Sequence, residues 1–114
     1  MKTADPTVCR LNEVDPYSIQ SGRELDALIH FQVFNKPWHL AAPCYSTDRK
    51  TADELKRDLE SKYGTPIVTG KTAMRVPLWF ARYEVEPGNP TEVLAETYPL
   101  AISRLAVLRA LEKS

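Results

Sequence analysis

Only four glycines and two cysteines occur among these 114 residues. Glycine this sparse leaves no backbone cradle for phosphate or a dinucleotide, so no cofactor is expected. Cys9 and Cys44 form no C-x-x-C pair, which removes the common zinc modules. The opening segment, MKTADPTVCRL, has no apolar stretch of the kind a secretory signal needs, so the two cysteines read as free thiols. Neither sign of charge is in excess: 15 basic and 15 acidic residues cancel. A nucleic-acid binder normally carries a basic surplus, so DNA and RNA are disfavoured as partners. No apolar run approaches the ~20 residues of a membrane span. The expected setting is the cytoplasm, with no membrane partner. What is present is ordinary for a globular chain, 43% hydrophobic and 26% charged residues, enough for one domain with its own core.

Residues 1–20 are polar and contain Pro6 and Pro16. They read as an N-terminal arm or edge strand around Thr7–Leu11, ahead of a single domain over 21–114. Ser21 and Glu24 have capping-box spacing, and Leu25, Leu28, Ile29 and Val33 follow as one apolar stripe. Pro37 is expected to end this first helix. Thr51 and Glu54 repeat the signature ahead of Ala52, Leu55, Leu59 and Tyr63, and Gly64 suits a left-handed helix end. The charges between them read as a solvated face.

Residues 66–69 and 75–86 read as strands of an antiparallel hairpin with Gly70 in the connection. In the longer strand Trp79, Ala81, Tyr83 and Val85 alternate with Phe80, Arg82, Glu84 and Glu86, which predicts one packed and one solvated face. Pro87-Gly88-Asn89-Pro90 is a turn, and a third short strand fits residues 92–96. The last helix begins near Pro99 and is apolar nearly all round. Such a helix is either central in the core or shared with a partner. The fold class is α+β: a three-layer α/β/α sandwich with a small antiparallel sheet and about three helices.

Two local motifs and the order of elements carry a resemblance. Glu24-Leu25-Asp26-Ala27-Leu28 lies in the first helix, and Pro43-Cys44-Tyr45-Ser46-Thr47-Asp48 in the loop. Trp79-Phe80-Ala81 stands in the strand, and Ala95-Glu96-Thr97-Tyr98-Pro99-Leu100-Ala101-Ile102 leads the last helix. Over about residues 21–112 this resembles the phage α/β/α (ABA) sandwich domain family of small bacteriophage and prophage proteins. Ser103 stands where that family often has a cysteine. The resemblance implies the fold and a viral accessory role in a host cytoplasm, and it brings no catalytic residues.

Thr69-Gly70-Lys71-Thr72 ends like a P-loop, but Thr65 occupies the position of the required first glycine, so a hairpin is the better reading. His30, His39, Cys9 and Cys44 lack metal-ligand spacing, and no metal is expected. Cys44 and His39 share one loop without a third residue to orient the imidazole, so no catalytic residue is assigned. The binding candidates are Trp38, His39, Tyr45, Ser46, Thr47, Asp48, Arg49 and Lys50. They place flat aromatic faces, short hydroxyls and two cations beside the free N–H groups of a helix start, which suits an anion or nucleotide. The same residues also admit a structural reading, with Ser46–Asp48 shaping the loop and Trp38 and Tyr45 completing the core.

The function expected is that of a non-enzymatic binder that counters a bacterial defence. It would occlude a host defence protein or sequester a nucleotide second messenger. Occlusion predicts exposed aromatics and a sizeable interface, whereas sequestration predicts a deep pocket with an anion site. The alternative is a small hydrolase or transferase that modifies a host component. The apolar surplus of the last helix predicts a homodimer through Arg104, Val107, Leu108 and Leu111.

Overall fold

The computed structural model describes residues 14–37 and 41–113, the last without its side chain. The element order is α1 (Arg23–Leu28), continued by a π-helical turn (Ile29–Val33), α2 (Arg49–Tyr63), β1 (Val68–Lys71), β2 (Trp79–Glu86), β3 (Asn89–Ala95) and α3 (Tyr98–Lys113). It is an α+β, three-layer arrangement of three helices and a three-stranded antiparallel sheet in the order β1-β2-β3. The expected strand at Thr7–Leu11 lies outside the described residues. Within residues 14–20, Asp15 organises a tight turn by accepting from the backbone N–H of Tyr17 and from the Ser18 hydroxyl, each at 2.9 Å.

α3 is the middle of the structure. Tyr98 through Ala110 are all buried, with β2 and β3 on one side and α1, its π-turn and α2 packed around the rest. This explains a helix with no polar face: apolar residues point outward from α3 in every direction because protein meets them in every direction. The expected dimer surface is therefore corrected. Val107 is 0% exposed, Leu108 and Arg104 are also buried within the chain, and Leu111 packs partly buried against the core. Arg104 donates to the backbone carbonyls of Ile19 and Leu94, both at 2.8 Å, and so ties residues 14–20 to the sheet.

The helix starts differ from the expected capping. Gly22, not Ser21, precedes α1, at φ 141° and without a side-chain cap. Its N–H donates to Ser46 Oγ at 2.9 Å instead. A long-range partner thus satisfies a free donor at the helix start. α1 also stops short of Pro37: its π-turn closes with Phe34 N–H donating to Ile29 at 3.1 Å, and Asn35 turns left-handed at φ 57°. Asp48, not Thr51, caps α2, its carboxylate accepting from Thr51 N–H at 2.9 Å and from Thr51 Oγ1 at 2.7 Å. Gly64 closes α2 at φ 70°, a backbone state that glycine adopts without Cβ strain. Ala52, Leu55 and Leu59 form the expected buried stripe.

In the sheet, Ala81 and Tyr83 of β2 and Val93 and Ala95 of β3 are buried, and Trp79 packs partly buried beside them. Val85 departs from the expected face. The pairing slips between Glu84 and Glu86, and Val85 is 61% exposed; a bulge breaks the period of two and re-aims the side chain. Gly70 sits inside β1 rather than in the connection, opposite Phe80. A Cβ there would lie 2.8 Å from the Phe80 ring, so the aromatic lies over the glycine.

Candidate functional site

The loop before α2 folds inward. Ser46 is 1% exposed; its N–H and hydroxyl both donate to Asp26 Oδ1, at 2.8 and 2.7 Å. Asp26 is itself buried on α1, so the pair fastens the loop to that helix. Tyr45 is buried, with its hydroxyl 3.4 Å from His30 Nδ1 and its ring beside Phe34. Burial and the nearby carboxylates of Asp58, Asp26 and Glu54 push the Tyr45 phenol up to about 12. Tyr45 and Ser46 are thus interior residues, as the structural reading has it, and they present no surface to a ligand. Trp38 and His39 lie outside the described residues.

The remaining candidates do not converge. Thr47 and Lys50 are exposed, and the Asp48 carboxylate is engaged at the start of α2, where the Thr51 bonds hold it below the usual carboxylate range. Arg49 leaves that helix start for the aromatic edge of the sheet. Its guanidinium lies 4.6 Å from the centre of the Tyr98 ring and 5.5 Å from that of Trp79. Lys71 approaches the same Trp79 ring at 5.3 Å. Tyr98 donates to Asp53 Oδ1 at 2.6 Å; burial and that carboxylate raise its phenol. Arg49 is therefore part of a stacked surface cluster. Cys44 is an exposed free thiol, and no group of three or more potential metal ligands occurs among the described residues.

Two other features were not singled out by sequence reasoning. The first is the outer face of the sheet. Register places Val68, Arg82 and Glu92 in one row and Gly70, Phe80 and Leu94 in the next. Among the described residues the exposed large hydrophobics are Tyr17, Val68, Met74, Val76, Val85 and Leu94. All but Tyr17 lie in the sheet or in the connection between β1 and β2. Arg82 and Glu92 stand 3.8 Å apart in the middle of this face, each over two-fifths exposed. The alternation of β2 pointed to a solvated outer face, but β1 and β3 were needed to show that apolar side chains gather there.

The second is a narrow recess where the end of α2, the start of β1, β2 and α3 meet. Leu59, Tyr63, Thr65, Ile67, Tyr83, Leu105 and Arg109 line it, and its inner space is about 10 Å³, room for about one water-sized group. Arg109 is 7% exposed and held between two rings, 4.4 Å from the centre of Tyr83 and 4.9 Å from that of Tyr63. Sequence analysis assigns Arg109 no role; an arginine within a largely apolar helix is the available signal.

No family model matches the chain, and neither the curated proteins nor the solved structures compared with it yielded a match.

Proposed function

We propose that this chain is a non-enzymatic protein-binding module, a phage or prophage accessory protein that counters a bacterial defence by occluding a host defence protein. The observation that carries the reading is that the exposed apolar side chains Val68, Met74, Val76, Val85 and Leu94 all fall on the sheet or its β1–β2 connection, with Val68 and Leu94 on the outer face beside Phe80. Scattered single hydrophobics are normal on a surface, whereas several apolar side chains gathered with charges on one sheet face are characteristic of a contact surface. Val68, Phe80 and Leu94 supply the apolar part of the face, and Arg82 and Glu92 supply paired charges of opposite sign in its middle, the Arg82 guanidinium 5.1 Å from the centre of the Phe80 ring. A partner with an apolar ridge beside an acidic and a basic side chain is complementary to that face. The resemblance in the helix and loop motifs supplies the phage context.

The test is plaque formation by a defence-sensitive phage on defended bacteria that express this protein. Wild type should restore plaques. Leu94→Glu should lose at least about tenfold of that rescue, because it places a charge in a desolvated contact, while its melting temperature stays near wild type. Cys44→Ala should rescue within a few-fold of wild type. Equal rescue by Leu94→Glu, or loss of rescue with Cys44→Ala, refutes this reading.

A further inference from the structure

The recess around Arg109 contains more hydrogen-bonding capacity than the protein uses. Arginine offers five N–H donors, yet among the described residues its one hydrogen bond is long, Nη2 donating to Thr65 Oγ1 at 3.3 Å. Its other contacts are the faces of Tyr63 and Tyr83. The ion pairs among the described residues are Lys56–Glu60 and Arg82–Glu92, so no carboxylate of the described residues forms an ion pair with Arg109. The Tyr83 hydroxyl, on a residue 3% exposed, has no hydrogen-bond partner and lines the same recess. A further cation, Lys62, lies 5.6 Å from the centre of the Tyr63 ring.

A buried guanidinium without a counter-charge is costly, and so is a buried hydroxyl without a partner. The two costs fall in one place, and one kind of group removes both. An oxygen of an anion accepts from the guanidinium and from the phenol together, and charge-assisted bonds of this type are short and strong. The Thr65 hydroxyl accepts from Arg109 and donates its own hydrogen to the Tyr63 carbonyl at 3.4 Å, so it positions the guanidinium and leaves the free donors to Arg109 and Tyr83. The inner space admits a single oxygen-sized atom, so the rest of the ligand lies toward the mouth, on the side of Tyr63 and Thr65.

We propose that Arg109 and Tyr83, with Thr65 holding the guanidinium in place, form an oxyanion subsite that takes one oxygen of a phosphate or phosphate monoester. The site is independent of the outer sheet face, and either assignment stands without the other. Tyr83 gives the cleanest probe, because Tyr83→Phe removes the hydroxyl and leaves the ring that stacks on Arg109.

The experiment measures the melting temperature of wild type and Tyr83→Phe at constant ionic strength in inorganic phosphate, acetate or chloride, with a phosphate titration followed by amide NMR. In phosphate-free buffer Tyr83→Phe should be as stable as wild type or more so, since it deletes an unsatisfied buried group. With phosphate the order should reverse. Wild type should show saturable stabilisation and shifts at residues 63–67, 83 and 109, and the variant should bind about tenfold more weakly. Acetate should act more weakly and chloride least. Equal responses of wild type and variant to phosphate would falsify the assignment. So would stabilisation that is the same for chloride as for phosphate, which reports ionic screening alone. If Tyr83→Phe fails to fold, Arg109→Met decides the question by the same response to phosphate, because it removes the other donor and keeps much of the apolar stem.

Discussion

Two polar clusters sit in the interior and differ in how completely they are bonded. Around Asp26, one carboxylate oxygen accepts from the Ser46 N–H and hydroxyl, and the Ser46 oxygen accepts from Gly22 N–H. Around Arg109, a cation has one long hydrogen bond and two ring faces, and a neighbouring hydroxyl has no partner. The first cluster is what a fold needs to fix a loop: each part fits another part of the chain, and the result is rigid. The second is incomplete within the chain. Sequence reasoning placed the binding residues in the first, because Ser, Thr and Asp in a loop look like ligand donors. In three dimensions the loop's hydrogen bonds are spent internally, and the unspent ones belong to a helix and a strand.

The largest expected effect tests whether these clusters lie inside one chain at all. Val107 is 0% exposed on α3. Val107→Glu buries a carboxylate with no partner and should cost ~4 kcal/mol or more, unfolding the protein as seen by circular dichroism. A folded variant with a changed sedimentation coefficient would instead make α3 an interface, and the burial of Arg109 would then have to be reassessed with a second copy in place.

Next in size is the contrast between the clusters themselves. Asp26→Ala leaves the buried N–H and hydroxyl of Ser46 without their acceptor and should cost about 3 kcal/mol in chemical denaturation. Arg109→Met keeps much of the apolar stem and removes an unneutralised charge, so in phosphate-free buffer it should cost less than about 1 kcal/mol. Equal losses would erase the distinction between a completed and an uncompleted cluster.

Much of the architecture was legible because it follows from local patterning. The stripe Ala52, Leu55 and Leu59, the glycine stop at Gly64 and the inward alternation of Ala81 and Tyr83 each need only neighbours along the chain. The departures have non-local causes. Gly22 donates to a serine 24 positions away, so the local capping box at Ser21 was displaced. Val85 left its face through a slip in pairing with β3. The apolar surplus of α3 admitted two explanations in sequence, core or partner, and only the packing of both layers against it separates them. The site was less legible than the fold for the same reason. Tyr83, Arg109 and Thr65 come from three elements, and their juxtaposition has no signature in spacing.

The smallest effect concerns a group on the closed side of the comparison that is itself only partly bonded. His30 is 8% exposed; Nδ1 lies 3.4 Å from the Tyr45 hydroxyl, while Nε2 is buried without a partner. Burial, and then the charge of Lys36, lower its pKa below the ordinary 6.5. The folded state therefore binds this proton less readily than the unfolded chain. The sign follows from linkage: the neutral imidazole's contribution is present above about pH 6.5 and is lost as pH falls, because the unfolded chain takes up the proton first. Wild type should melt at a progressively lower temperature from pH 7 to pH 5, a window in which unfolded carboxylates remain largely ionised. His30→Leu should flatten that dependence while leaving the fold intact. An unchanged slope in His30→Leu would mean that Nε2 reaches water or an acceptor, and this side of the structure would then be less closed than its hydrogen bonds make it.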